Sequence, residues 1–556
     1  MVVSILAPAI LLLGVAATAL PTDYGSPALT SKLGPVVDLG YAAFIGDNKS
    51  TPGVDFFGGI PYIQPPLGEL RWRKPRQLDE SYRWPDWRPL HDARNFGPIC
   101  IQQPAVVGVG VEDCVTLNVW RPSGVNSTAS LPVFVYIHGG GNFYNSAQGF
   151  PMASWISTTN GNIIAVNIQY RLGLFGFLAS SELMKSGSVN VGLLDQRAAL
   201  DWIQRHIKAF GGDPDRVTIS GESSGGASVL AHMLWKGGEA KPPFRAAILQ
   251  SIGNDPFPVS EVYENCFSNV TSFVGCDEAS DVMGCLRSTS AGTLIAAINH
   301  RPQPYCKYLP IVDKETIPDI PSRLLQQGKF SKVPVLAGHT TNDGTAFTGS
   351  PTSVTDEASL YSALTSSRYT RLTNATFHRA LTHYNLSDFS SFYEMAQELV
   401  GDTQFKCWDW FVANKTLEAG VPAFNYRWNT PDPVAVAANP YRGVLHTSDL
   451  YYLFDGTNSG VSSIAAQNVF HAFNATEKPL NLEAVSYWTS FARASNPSTF
   501  KYSTSPSWPS LNETLSRLVI QEGASNTSTA SVVEVTPQKH IERCLFWISV
   551  NNETRV

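Results

Sequence analysis

Val217-Thr-Ile-Ser-Gly-Glu-Ser223-Ser-Gly-Gly226 is the stretch of this 556-residue chain that governs how the rest is read. A β-branched, apolar run ends in Gly-x-Ser-x-Gly and passes into small residues able to open a helix. Gly221 and Gly225 leave room for a sharp strand-to-helix turn, which would hold Ser223 strained with its Oγ clear of the sheet. A serine hydroxyl is a poor nucleophile at neutral pH. It needs a base for its proton, a carboxylate to hold that base and donors for the oxyanion. Gly-Ser-Gly combinations also occur in plain turns, so the pentapeptide takes its weight from the segments around it.

Upstream, Pro132-Val-Phe-Val-Tyr-Ile-His138-Gly-Gly-Gly141 reads as a buried strand emptying into three glycines. A flexible glycine-rich loop is the plain alternative. The strand before it and the histidine at the junction favour an oxyanion loop instead. Its donors would be the N–H groups of Gly140 and Gly141, joined by that of Ser224 just after the nucleophile.

Strand-like runs Ile163–Tyr170, Phe244–Ser251 and Val333–Gly338 alternate with helical ones. Within Gly192–Phe210, Leu193, Leu194, Ala198, Trp202, Ile203, Ile207 and Phe210 recur at steps of three and four, an amphipathic helix that Gly211-Gly-Asp-Pro214 stops. This alternation predicts an α/β fold with a mainly parallel sheet covered on both faces.

With 43% hydrophobic and 15% charged residues the chain can bury a large core. Its motifs are spread without a linker-like tract, which predicts one domain over residues 20–556, carrying insertions. A net charge of −6 gives no reason to expect a nucleic-acid or anionic-membrane partner. Residues 1–19, with the apolar core Ile5–Ala17 and the Ala17-Thr-Ala19 cleavage pattern, read as a signal peptide and imply secretion. No later stretch reaches transmembrane length, so a membrane anchor is not expected. Ten Asn-x-Ser/Thr sequons fit that route: Asn48, Asn126, Asn269, Asn374, Asn385, Asn414, Asn474, Asn512, Asn526 and Asn552. Eight cysteines, an even number without zinc spacing, suggest four disulfides. Histidines and carboxylates show no metal-ligand spacing, and neither a metal nor an organic cofactor is expected.

Several long segments together carry a family resemblance. Phe210-Gly-Gly-Asp-Pro-Asp-Arg-Val-Thr-Ile-Ser-Gly-Glu-Ser-Ser-Gly225 resembles the serine signature of type-B carboxylesterases, the cholinesterase-like branch of the α/β-hydrolases, and the chain looks closest to their secreted fungal members. Glu112-Asp-Cys-Val-Thr-Leu-Asn-Val-Trp-Arg-Pro122 is similar to the second signature, with Val115 where leucine is usual. Gly58–Trp72 and Asn167–Phe177 also look like family segments, so the resemblance runs over roughly residues 35–550.

The resemblance implies an α/β-hydrolase fold and a triad of Ser223, Asp343 and His446. Asp343, in Gly338-His-Thr-Thr-Asn-Asp-Gly344, stands where the family usually has glutamate, one methylene longer. Asn342-Asp-Gly344 also reads as a tight turn. His446 matches the base, and the order Ser, Asp, His is that of the fold. Should Asp343 not serve, Glu222 or Asp449 would be the next acids. Glu222 is expected as a buried carboxylate near His446, His138 as a support of the oxyanion loop and His206 as a packing residue. His339 precedes the acid where the family varies. The resemblance pairs Cys100 with Cys114, Cys276 with Cys285 and Cys407 with Cys544, which leaves Cys266 for Cys306.

The implied activity is hydrolysis of carboxylic esters. In the family's lipases the loop closed by the first disulfide is long and forms a lid; in its cholinesterases it carries a tryptophan. Here only Ile101–Asp113 lie inside that loop, and none is aromatic. A short-to-medium acyl or aromatic-acid esterase is therefore expected, against a triacylglycerol lipase, sterol esterase or feruloyl esterase with the same triad. A non-catalytic adhesion protein of the same fold is the alternative from another class, and the complete set of catalytic residues speaks against it.

Overall fold

In the computed structural model, residues 30–556 are described except 82–88, 254, 301–305, 367, 458–469 and 513. The expected signal peptide lies outside the described residues. A small sheet holds strands β1 (Val36–Asp38), β2 (Ala43–Ile45) and β4 (Leu90–Asp92). The large one has ten strands: β3 (Val54–Pro61), β5 (Thr116–Pro122), β6 (Leu131–Ile137), β7 (Ile164–Ile168), β8 (Gly212–Glu222), β9 (Ala246–Gln250), β10 (Val335–Thr340), β11 (Ala423–Trp428), β12 (Ser516–Ile520) and β13 (Val532–Val535).

Their order across the large sheet is β13-β12-β11-β10-β9-β8-β6-β7-β5-β3. All pairs from β7 to β12 are parallel, while β5 and β13 run antiparallel to their inner neighbours. The central strands are apolar at successive positions because both of their faces are covered. Along β6, Val133, Val135 and Ile137 enter one core, and Phe134 and Tyr136 enter the other. The first core also takes Leu193, Leu200 and Trp202 of the helix Val191–His206, with Val229 and Leu230 of the helix Ser224–Met233. The second takes Trp155, Trp428 and the long helix Glu477–Ala494 through Leu480, Trp488 and Phe491.

The expected helix over 192–210 is α-helical to His206 and finishes as a 3₁₀ turn over Ile207–Phe210. Gly211, at φ 91°, provides the left-handed residue that ends it. Strand β8 begins at Gly212, earlier than the β-branched run alone suggests, because Leu131 pairs with Gly212 across an irregular register. Disulfides join Cys100 to Cys114, Cys266 to Cys306, Cys276 to Cys285 and Cys407 to Cys544, the four expected pairs.

Candidate active site

Ser223 sits between the end of β8 and the first residue of the helix Ser224–Met233, at φ 59° and ψ −126°. A non-glycine residue holds that conformation only where its surroundings enforce it. Ser223 N–H donates to Gln250 O at 3.0 Å, and its carbonyl accepts from Gly253 N–H and Ala227 N–H, both at 2.9 Å. The flanking glycines are steric requirements. A Cβ on Gly225 would lie 2.1 Å from Ile137 O, and one on Gly221 would lie 2.4 Å from Gly225 C. The motif's spacing thus follows from how closely the new helix passes under β6.

Asp343 follows β10, and His446 precedes the short helix Ser448–Leu453. Two hydrogen bonds tie their loops together: Asn342 N–H donates to Val444 O at 2.9 Å, and Val444 N–H donates to Asn342 Oδ1 at 3.0 Å. Asn342 therefore braces the histidine loop, and its carbonyl accepts from Thr345 N–H to close the turn. The Asp343 carboxylate meets His446 Nδ1 through Oδ1 at 2.6 Å. Its Oδ2 accepts from Ser251 Oγ at 2.8 Å and Thr340 N–H at 3.0 Å. Asp343 is wholly buried, and these three contacts fix its carboxylate plane.

Two aromatic rings position the imidazole. Phe405 stands 4.2 Å from it centre to centre, and Phe347 meets it edge-on at 5.2 Å. His446 Nε2 has no hydrogen-bond partner among the described residues. Glu222 Oε1 is 3.2 Å away but outside hydrogen-bonding geometry. Burial, reinforced by Asp449 and Asp343, pushes the Glu222 carboxyl well above the usual carboxylate range. Ser223, Glu222 and His446 line one cleft of about 660 Å³, a volume that includes its open mouth.

Gly140 and Gly141 line the same cleft at φ 110° and 64°. A Cβ on Gly140 would lie 2.2 Å from Tyr144 O, so only glycine fits that turn. Gly140 O accepts from Phe143 and Tyr144 N–H, both at 3.1 Å, while Asn142 N–H donates to Ser224 Oγ at 3.2 Å. The N–H groups of Gly140, Gly141 and Ser224 meet no acceptor among the described residues. His138 lies beneath the loop, with Nδ1 2.8 Å from Gly139 O and its ring 4.6 Å from that of Tyr170. Burial lowers it to about 4, keeping the imidazole neutral.

The remaining candidates lie elsewhere. Asp449 Oδ2 accepts from Gln250 and Tyr426 rather than from His446. His206 packs between Tyr41 and Trp202 and lies 3.1 Å from Glu80. His339 is bound to Asp409 at 3.0 Å. Glu398, Asp402 and His540 come within a metal ion's reach of one another. Arg543 already bridges those two carboxylates and Lys406 pairs with Glu398, so the cluster is an ion-pair network. Ser251, Thr340, Phe347 and Phe405 are the site residues that sequence reasoning missed. Ser251 ends a strand-like run and Thr340 falls within the Gly338–Gly344 segment, the sequence signals that these four carry.

A mainly parallel sheet with a strained serine at the head of a helix, an Asp–His pair on later loops and a glycine turn opposite defines an α/β-hydrolase. The chain belongs to the carboxylesterase family, whose profile matches residues 34–543. It is 37% identical to Lipase 5 of Diutina rugosa over 340 residues, 54% of this chain, and so spans about 61% of that protein's length. It is 29% identical to Secreted lipase 1 of Botryotinia fuckeliana over 497 residues, 80% of this chain and 85% of that one. The crystal structure of Aspergillus niger EstA superposes with a TM-score of 0.82 at 30% identity, covering 94% of this chain and 99% of EstA.

Proposed function

We propose that the chain is a secreted serine esterase hydrolysing carboxylic esters through Ser223, His446 and Asp343, within one catalytic domain. The observation that carries this reading is the 2.6 Å contact between Asp343 and His446 Nδ1, which leaves Nε2 without a partner in the cleft that holds Ser223. His446 Nε2 takes the Ser223 proton as Oγ attacks the ester carbonyl, and Asp343 stabilises the imidazolium that forms. The N–H groups of Gly140, Gly141 and Ser224 receive the oxyanion, each worth roughly 3–4 kcal/mol of barrier. The imidazolium then protonates the departing alcohol, leaving an acyl-serine. Water attacks that ester with His446 again as base, and the acid leaves as Ser223 recovers its proton.

Short-to-medium acyl or aromatic-acid esters suit a site whose first disulfide loop is too short to cover it. Triacylglycerol lipase activity is the second reading; the two relatives named above are called lipases. Eight sequons are exposed, and Asn269 and Asn414 are partly so, which suits glycosylation on a secretory route. The deciding experiment compares p-nitrophenyl esters of increasing chain length, tributyrin, olive oil and methyl ferulate, with Ser223→Ala as the blank. Equal hydrolysis by Ser223→Ala would overturn the assignment.

A further inference from the structure

The cleft above Ser223 adjoins a second space. Phe347 and Arg368 line both, and Ala363, Leu364, Tyr369 and Val400 complete the second. Its volume is about 540 Å³, counting solvent-open space, against about 660 Å³ for the cleft. Arg368 is the one charged side chain on it among the described residues. The Phe347 ring meets the His446 imidazole at 5.2 Å, so the shared wall begins one ring from the triad.

Arg368 is fixed where the two spaces meet. Its Nε donates to Asp255 Oδ1 at 2.8 Å, and its Nη1 donates to Gln404 Oε1. The guanidinium carbon lies 5.1 Å from the centre of the Phe347 ring. Asp255 and Gln404 both line the cleft, which places the bridge on the cleft side of the wall. Gln404 is held in turn, because it belongs to the π-helical turn Asp402–Lys406, whose five residues are all buried. Such turns recur at functional sites. A hydrocarbon chain could pass this point only by displacing the guanidinium, breaking its pairing with Asp255 where both side chains are mostly buried.

We propose that Arg368 is a specificity-determining residue, a partition that confines the ester's hydrocarbon chain to the cleft and closes the second space to it. The inference rests on the hydrolase reading above and narrows it to short chains along this wall. Selection here works by obstruction: a longer chain is refused because its path is occupied. With the guanidinium gone, Phe347, Ala363, Leu364, Tyr369 and Val400 would offer that chain an uncharged chamber. Acyl and alkoxy chains share this chemistry, and the experiment separates them.

The test compares kcat/KM within two series of esters kept below their solubility limits. p-Nitrophenyl octanoate against p-nitrophenyl butyrate reads the acyl arm. Octyl acetate against butyl acetate, by titration of the released acid, reads the alkoxy arm. Arg368→Ala is expected to raise the long-to-short ratio about tenfold or more in one series. Adding Ala363→Phe, which refills the chamber, should return the ratio toward its starting value. A substitution that merely loosened the site would slow both members alike and leave the ratio unmoved. Should Arg368→Ala fail to fold, Arg368→Gln, shorter but still able to donate to Asp255, should raise the ratio severalfold. A ratio unchanged in both series, or a rise that Ala363→Phe does not reverse, overturns the proposal. Failure of the unsubstituted protein to cleave any of these esters would instead overturn the hydrolase reading.

Discussion

Asp343 Oδ1 lies 2.6 Å from His446 Nδ1 while its Oδ2 is held by Ser251 and Thr340. An aspartate thus reaches the imidazole from the position where the family resemblance leads one to expect the longer glutamate, because the loop after β10 is bonded directly to the histidine loop through Asn342 and Val444. Asp343→Asn keeps the shape but presents an amide to Nδ1 and loses the charge that stabilises the imidazolium. Turnover is expected to fall about 10⁴-fold with little change in KM. Steady-state kinetics on p-nitrophenyl butyrate checks it, and near-normal turnover would show that the acid lies elsewhere.

The elbow makes a second prediction, on stability. A methyl group at position 225 would meet a backbone carbonyl of β6, which cannot rotate away as a side chain could. Gly225→Ala should therefore cost about 3 kcal/mol or more, the upper end of core overpacking. Thermal unfolding followed by circular dichroism should show a clearly lowered Tm; an unchanged one would mean that the helix can shift off the strand.

The nucleophile strand, the glycine turn and the central parallel strands were legible because each is a local pattern: a β-branched run, an invitation to positive φ, a helical period. The proposed acid and base come through the family resemblance, since nothing local marks Asp343 or His446. Ser251, Phe347 and Phe405 were illegible for another reason. They reach the Asp343–His446 pair from three separate elements, Ser251 at the carboxylate and the two rings at the imidazole, and their spacing in sequence carries no trace of that meeting. The long helix Glu477–Ala494 escaped notice because it is buried on most sides, which blurs the amphipathic period that exposes a surface helix.

Asp449 provides a pH-dependent prediction. Burial raises its carboxyl to about 6, against the hydrogen bond from Gln250 that lowers it. A carboxyl raised in the folded state is stabilising while both states are protonated, below about 4, and that contribution is lost as pH climbs through about 6. Asp449→Asn removes the titration while an amide oxygen can still accept from Gln250 and Tyr426. Its stability relative to the unsubstituted protein should improve by roughly 3 kcal/mol between pH 4 and pH 7. Unfolding midpoints across that range measure it, and a difference independent of pH would contradict the burial argument.

The first disulfide loop leads to the last prediction, on substrate access. Although Val106, Val107 and Val111 are exposed, the loop's base is bound to the segment that follows the Gly140–Gly141 turn. Gln102 accepts from Asn145 N–H at 2.5 Å and donates to Asn145 O at 3.1 Å, and Gln103 N–H donates to Phe143 O at 2.7 Å. Ala105 exchanges two hydrogen bonds with the Asn299 side chain, at 2.9 and 2.8 Å. A segment fixed on both sides within five residues cannot swing across the cleft without breaking these bonds, each worth about 1 kcal/mol. It acts as a buttress for the Gly140–Gly141 turn instead of a lid. Hydrolysis of tributyrin should therefore rise smoothly through its solubility limit. Gln102→Ala, which frees Asn145, should lower kcat by about tenfold or more through a loosened oxyanion turn, with KM nearly unchanged. A sharp rise in rate when droplets form would assign the lid to another segment and restore the lipase reading.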